Sequence, residues 1–573
     1  MSTLGRAGLT AIAVSIAGTV AVGAAGTSLM EPPLPGGPGW LPWGFDLGLS
    51  PYLAVGLAAA SLAAGALGLL LTLRAMRSGW TVRPRYVLLA GVLAAVAVGT
   101  TRPFGTSDFL SYAAYGHELV TGHNPYLVAP RALPADPVAR AVQDWAGTPS
   151  VYGALATGVF GAAALAGGLS ARLTVFVLDL VTVAAFVVTG VLLYRLARGQ
   201  TARLRAALLW TCNPLLLQVL VAGSHVDGLA VAFSIGGLAV LFPIIQNGPV
   251  VSPEPAPSLP DPARRWQGPL RGLAAGTLLG LGFAVKPTVL LVTAGLALAL
   301  VLLPAQRRGI ENAPIGAFSI PLRDRSRVVA GLVTGFAIVA GVSVWLIGSA
   351  GIRQMTRASG LVSVGSPWRV VRTVLGDVVS ESTANDAVRV CAVVVAALLV
   401  VHLLPSRFVP DFCRYDSTNQ GQSAWPAAGW AFVLVLAWLT VWPYVLPWYD
   451  ALAWALLALL PASGFDWLLL ARTTVLAFGY LPARATGIAI PGGLRWMEPV
   501  LRSVVTPAVL AVLLVLLLVP HVRRLQIVTM RDGYSSECDS NRDLCGGGAG
   551  RADRHCGRRG RAPADQPRRA RLQ

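Results

Sequence analysis

Residues 51–73 read PYLAVGLAAASLAAGALGLLLTL, twenty-three positions without a charge, closed by Arg74 and Arg77. As an α-helix rising about 1.5 Å per residue, such a stretch is roughly 35 Å long, enough to cross a hydrocarbon core of about 30 Å. Only a helix serves there, because lipid offers the backbone no hydrogen-bond partner.

The same signature recurs along the chain. About fourteen apolar stretches stand near residues 7–29, 51–73, 86–101, 172–194, 206–222, 228–245, 272–287, 288–304, 328–348, 386–404, 427–444, 449–463, 465–482 and 502–520. The composition agrees: 573 residues are 55% hydrophobic and 12% charged, with mean hydropathy +0.64, too few charges for a water-facing surface of that size. The 62 glycines and 40 prolines suit spans that pack closely or break. The fold class expected is an all-α polytopic membrane protein with about 13–14 transmembrane helices.

A net charge of +19 raises the question of nucleic acid, and its distribution answers against that partner. The arginines fall in short loops between spans: Arg74, Arg77, Arg83 and Arg85; Arg195, Arg198, Arg203 and Arg205; Arg264, Arg265 and Arg271; Arg307, Arg308, Arg323, Arg325 and Arg327; Arg407 and Arg414. By the positive-inside tendency these loops are cytoplasmic, and so are both termini. Residues 151–168 are apolar enough to span, but counting them would put the Arg195–Arg205 cluster outside. They are therefore expected to lie in the outer interface, within a large outer loop at 102–170. A second outer loop covers 349–385. The segment 521–573, with 12 arginines and six acids among Gly-rich and Arg-rich runs, is expected to be a disordered basic tail resting on anionic membrane lipids. Residues 1–520 form the membrane domain.

With that orientation, the polar residues that fit lipid poorly collect at the outer face. Ser107-Asp108 follows the third span, and Tyr112 and Tyr115 come one and two turns later on the same helical face. Asn124-Pro125-Tyr126 marks a turn, and the loop closes at Ser150-Val151-Tyr152-Gly153. Asn213-Pro214 interrupts a span before the turn His225-Val226-Asp227. Lys286-Pro287 forms another outer turn, and Lys286 is the only lysine against 44 arginines. Arg353, Arg357, Arg369 and Arg372 stand in the second outer loop, against the charge rule. Trp448 sits within Trp442-Pro443-Tyr444-Val445-Leu446-Pro447-Trp448-Tyr449-Asp450.

Each feature has two readings. Asp108 is the N-cap of an interfacial helix or a general base. His225 and Asp227 are a polar turn or a functional pair. Lys286 snorkels or binds phosphate. The four arginines belong to a well-structured loop or match a phosphate's geometry. Trp448 and its neighbours read first as interfacial anchors, and sugars also stack on aromatic rings. Asp179, inside a span, is expected to pair within the bundle. The six cysteines, Cys212, Cys391, Cys413, Cys538, Cys545 and Cys556, have no spacing that demands disulfides or zinc. No metal or cofactor is called for. Together, one carboxylate, one lysine and several arginines at an outer cavity suit group transfer from a lipid phosphate.

The ordered set Ser107-Asp108, Ser111-Tyr112, Tyr115-Gly116, Asn124-Pro125-Tyr126, Tyr152-Gly153, Asn213-Pro214, His225-Val226-Asp227, Lys286-Pro287 and Ser366-Pro367-Trp368 resembles the actinobacterial polyprenol-phosphate-mannose-dependent α-1,6-mannosyltransferases over residues 85–520. These GT-C glycosyltransferases build the mannan backbone of lipomannan and lipoarabinomannan. The resemblance implies a polyprenyl-phosphate-mannose donor, a lipid-anchored mannoside acceptor and inverting transfer outside the cytoplasmic membrane. It implies Asp108 as base, with Lys286, Arg353, Arg357, Arg369 and Arg372 toward the donor phosphate. Tyr112, Tyr115, Tyr152, His225, Asp227 and Trp448 would serve the acceptor. Val226 stands where the family's turn has Asn, and Val151 where it has Pro. Two rivals remain. One is a GT-C enzyme using another sugar, such as arabinofuranose. The other is a non-enzymatic transporter of lipid-linked sugar, which the lack of internal repeats and of a polar path through the bilayer counts against.

Overall fold

The structure, a computed structural model, describes residues 2–35, 43, 46–246, 262–302, 322–403, 426–482 and 489–518. The described residues all belong to the unit Met1–Pro520, and the second unit is His521–Gln573. The second unit, where a basic tail is expected, lies outside the described residues, as do Arg307, Arg308, Arg407 and Arg414.

The helices are α1 Ser2–Ala24, α2 Pro51–Arg77, α3 Pro84–Gly99, α4 Asp108–Val120, α5 Ala154–Gly167, α6 Ala171–Leu196, α7 Gln200–Leu209, α8 Asp227–Gln246, α9 Pro262–Val285, α10 Val289–Leu302, α11 Leu322–Ser359, α12 Trp368–Gly376, α13 Glu381–Leu403, α14 Pro426–Val441, α15 Ala451–Leu457, α16 Phe465–Gly479 and α17 Thr506–Leu518. Among the described residues, eight helical stretches are long and apolar enough to cross a membrane, and five shorter apolar helices of 10–17 residues accompany them. The protein is an all-helical, multi-span membrane protein. The stretch at 51–73 is α2: the Ser50 hydroxyl accepts from Leu53 N–H, Pro51 opens the first turn, and Arg74 and Arg77 close the last, where the helix dipole favours cations.

Three breaks shape the bundle. At Asn213-Pro214 the side chain of Asn213 accepts from the N–H groups of Leu215 and Leu216, so α7 stops and a π-helical turn, Leu217–Val221, leads to His225. At Gly348 a φ of 61° divides α11, so the segment carrying Arg353 and Arg357 leaves the axis of the preceding span. Residues 449–463 do not form a lipid-facing span: a 3-10 turn, Pro447–Asp450, runs into the seven-residue α15, whose residues are all buried in protein. The apolar side chains there fill the bundle interior, around the ion pair of Asp450 with Arg472 at 3.3 Å. Residues 151–168 form α5, whose 14 residues, about 21 Å long, fall short of a hydrocarbon core.

The crossing of α9 and α11 is built on glycine. Cβ atoms on Gly272 and Gly276 of α9 would lie 2.3 Å from Val328 O and 2.1 Å from Leu332 O of α11, and Gly331 and Gly335 return the contact onto Pro269 O and Leu273 O. Spacing of four residues puts these glycines on facing stripes, so the two backbones touch.

At one end of the bundle, Asp466 accepts from Arg205 at 2.6 and 2.9 Å and pairs with Arg77 at 3.4 Å. The end of α2 and the start of α16 meet α7 there. At the opposite ends of these same helices lie the residues described next.

Candidate active site

Beyond α3 the chain is pinned by Phe104 N–H to Ala222 O and Gly105 N–H to Met30 O, both 2.8 Å, and this sets where α4 begins. Asp108 is the first residue of α4 and does not cap it. Ser107 is the N-cap position, and its hydroxyl donates instead to Asp144 at 2.8 Å. The Asp108 N–H donates to Thr106 Oγ1 at 3.2 Å. Asp108 Oδ2 stands 3.9 Å from His225 Nδ1, with the side chain 17% exposed. Burial raises this carboxyl to about 7; Lys286 and the Thr106 contact oppose the shift, and the charges of Asp227 and Asp144 add to it.

His225 follows Ser224, whose φ is 51°. Its ring stacks on Trp448 at 3.6 Å between centroids, and its Nδ1 lies 3.4 Å from the Tyr112 hydroxyl, to which Tyr152 donates at 3.3 Å. Burial, with Lys286 adding to it, holds His225 well below its ordinary value, so it is a neutral imidazole at pH 7. Phe160 of α5 stacks on Tyr112 at 4.8 Å and fixes that ring.

Lys286 forms an ion pair with Asp227 and sits over the Tyr449 ring, 3.8 Å from its centroid. Burial lowers the ammonium from its ordinary value, and Asp227 and Asp108 oppose that. Gly153 explains how Tyr152 comes beside this turn: its N–H donates to Val285 O at 3.3 Å, and a Cβ there would fall 2.1 Å from Ala284 O.

Two clefts meet at Trp448. One is lined by Leu62, Thr106, Gln218, His225, Trp448 and Tyr480 among others. The other is lined by Asp227, Lys286, Thr288, Trp438, Trp448 and Tyr449 among others.

Of the residues singled out in the sequence, Asp108, Tyr112, Tyr152, His225, Asp227, Lys286 and Trp448 are thus brought together. Tyr115 points elsewhere, donating to Thr148 O at 2.7 Å and fastening the return of the outer loop. Arg353, Arg357 and Arg369 are exposed, and Arg372 pairs with Glu381. Their segment is tied to the loop after α4 and to the turn before Trp448: Gln354 donates to Tyr126 O at 3.4 Å, and Ser363 N–H donates to Pro443 O at 3.1 Å. Trp448, 3% exposed, faces the interior and not the lipid interface. Asp179 is buried, and neither carboxylate oxygen has a hydrogen-bond partner among the described residues. Sequence reasoning missed Tyr449, Asp144, Gln218 and Tyr480. Tyr449 and Tyr480 look like any interfacial aromatic, and Gln218, an amide four residues past a helix-breaking Pro214, carried a signal that was there to be read.

The family described as "Alpha-(1->6)-mannopyranosyltransferase, N-terminal domain" matches residues 4–302, more than half of the chain, from within α1 to the end of α10. The chain belongs to this α-1,6-mannopyranosyltransferase family. The matched residues include Asp108, His225, Asp227 and Lys286. Comparison with curated protein sequences gives no match. Among solved structures, the archaeal oligosaccharyltransferase AglB from Archaeoglobus fulgidus, in complex with an inhibitory peptide and a dolichol-phosphate, is similar at 14% identity and a TM-score of 0.31. The similarity covers 75% of this chain, which spans only 55% of that one. As a member of the mannopyranosyltransferase family, the protein is a glycosyltransferase.

Proposed function

We propose that the protein moves mannose from a polyprenyl-phosphate carrier to the 6-hydroxyl of a lipid-anchored mannoside, outside the cytoplasmic membrane. The observation that carries this reading is the position of Asp108, a carboxylate raised to about 7 and set beside His225 on one side and the Lys286–Asp227 pair on the other. Family membership supports the sugar and the linkage.

In the proposed step, Asp108 takes the proton of the acceptor hydroxyl as its oxygen bonds to C1 of the mannosyl group. The C1–O bond to phosphate breaks, and the phosphate leaves with the electron pair. Attack from the face opposite the phosphate inverts C1, so an α-linked product requires a β-linked donor. Lys286, held by Asp227, offsets the charge developing on the leaving phosphate. The exposed arginines at 353, 357 and 369, with Arg372, are proposed to gather the carrier's phosphate at the rim as it arrives from the lipid.

The test supplies membranes containing the protein with radiolabelled polyprenyl-phosphate mannose and, separately, polyprenyl-phosphate arabinofuranose, each with a mannoside acceptor. Label is expected in the product from mannose. Label only from the arabinosyl donor, or from neither, sinks the proposal.

A further inference from the structure

Trp448 and Tyr449 are neighbours in one 3-10 turn, Pro447–Asp450, and each meets a different part of the site. The Trp448 ring stacks on His225 at 3.6 Å between centroids, and the centroid of the Tyr449 ring is 3.8 Å from the Lys286 ammonium. A shift of this one turn therefore disturbs the surroundings of Asp108 and of Lys286 together. The turn leads into α15, whose seven residues are too few to hold a helix in place by themselves.

The turn is fixed from beneath. Asp450 stands at the N-cap position of α15, yet its side chain makes no capping bond. It reaches across to α16 instead: Oδ2 accepts from Thr473 Oγ1 at 2.7 Å, and Oδ1 pairs with Arg472 Nε at 3.3 Å. Thr473 Oγ1 in turn accepts from Trp454 Nε1 of α15 at 2.9 Å, and Arg472 Nη2 donates to Leu439 O of α14 at 2.8 Å. Asp450, Trp454, Arg472 and Thr473 are each 1% exposed or less. Upstream of the turn, Ser363 Oγ donates to Val445 O at 3.1 Å and accepts from Val445 N–H at 2.9 Å. A buried ion pair is a poor source of stability, because desolvation offsets its attraction and apolar groups of similar volume often serve as well. What such a pair supplies is a fixed geometry, and here the geometry is that of two rings at the site.

We infer that Asp450 and Arg472 are positioning residues for the transfer: with Thr473 they fix the Pro447–Asp450 turn, and through it the place of Trp448 against His225 and of Tyr449 against Lys286. Neither residue lines the two clefts, and both act through the rings. The inference rests on the proposed transferase reading, in which Asp108 and Lys286 carry the chemistry. It separates the pair from an ordinary core contact, since the pair is then dispensable for folding and required for rate. Asp450→Asn combined with Arg472→Met tests that separation: both charges go together, so neither is left buried and unpaired.

Lys286 is the only lysine of the chain, so carbon-13-labelled lysine gives the purified full chain a single lysine to follow by NMR in detergent. The ring current of Tyr449 displaces the Lys286 side-chain signal upfield, and Tyr449→Leu marks its undisplaced position. In the double variant the signal is expected to move toward that position, with the thermal unfolding midpoint kept. Transfer from polyprenyl-phosphate mannose is expected to fall about 10–10²-fold in kcat, the scale of a small misplacement, with a raised donor KM. If the double variant does not fold, Thr473→Val and Thr473→Ser decide: valine is expected to show the same shift and loss, and serine, which keeps the hydroxyl, to restore both. A folded double variant or Thr473→Val with wild-type signal and turnover overturns the inference. So does a signal that moves while turnover holds, or a wild-type signal that matches Tyr449→Leu. A signal that moves as expected, in a protein whose wild type transfers no mannose, sinks the functional reading and leaves the hold of the turn on Lys286 standing.

Discussion

In water a carboxylate is too weakly basic to draw a proton from a sugar hydroxyl at pH 7, and Asp108 is moved from that condition by its surroundings. Raised to about 7 by burial, it is mostly protonated below that pH and ionised above it. A base must be ionised, so transfer is expected to rise with pH through about 7 and to level off above, in a pH profile of kcat/KM. Asp108→Asn keeps the shape and loses the base; a fall of about 10²–10⁴-fold in transfer is expected, with the protein still inserted and abundant. Wild-type transfer by that variant removes Asp108 as base. Lys286→Ala is expected to raise the donor KM at least about tenfold, the scale of a lost charge-assisted contact, measured with polyprenyl-phosphate mannose at saturating acceptor. Unchanged donor KM and turnover remove Lys286 as a phosphate ligand. Both residues were legible in the sequence, one through its place after a span and the other through its rarity. Tyr115 was legible only as a helical neighbour: spacing put it on the Asp108 face, and the tertiary contact with Thr148 O turned it to the loop.

At the scale of elements, apolar length located nearly every helix, and the breaks at Asn213-Pro214 and Gly348 fall where a helix-breaking pair and a glycine stand in the sequence. Residues 449–463 fail that reading for a physical reason. Hydropathy records that a side chain avoids water, and cannot distinguish lipid from protein interior, so a buried segment between Pro447 and Pro461 imitates a span. Which faces of the helices meet was also hidden, because glycine abundance does not name pairs. The α9–α11 crossing makes the pairing testable. Any side chain at Gly276 meets Leu332 O, and Gly276→Leu is expected to destabilise the folded protein by about 1–3 kcal/mol, as overpacking does. The measurement is a thermal unfolding midpoint in detergent. Leucine at Gly341, where a Cβ would meet nothing within 4 Å, is the control and should leave the midpoint in place.

Across the whole molecule, two polar assemblies stand at opposite ends of shared helices. Arg77 at the end of α2 and Arg205 in α7 converge on Asp466 at the start of α16, so two arginine clusters from separate loops lie on one side of the bundle. The Asp108, His225 and Lys286 group lies at the other. By the positive-inside tendency we propose that the Asp466 end faces the cytosol and that the two clefts face outward. That orientation decides which lipid-linked donors and acceptors meet the site, so it is worth testing apart from catalysis. In a cysteine-free background, Leu127→Cys places a thiol on the 102–150 loop, where Leu127 is 62% exposed, and Ser78→Cys places one just past Arg77, at the opposite end. A membrane-impermeant maleimide applied to intact cells is expected to label the first within minutes and the second only after the membrane is permeabilised. The reverse pattern places the clefts in the cytosol and removes extracytoplasmic transfer; labelling of both in intact cells breaks the assignment of the two ends to opposite faces.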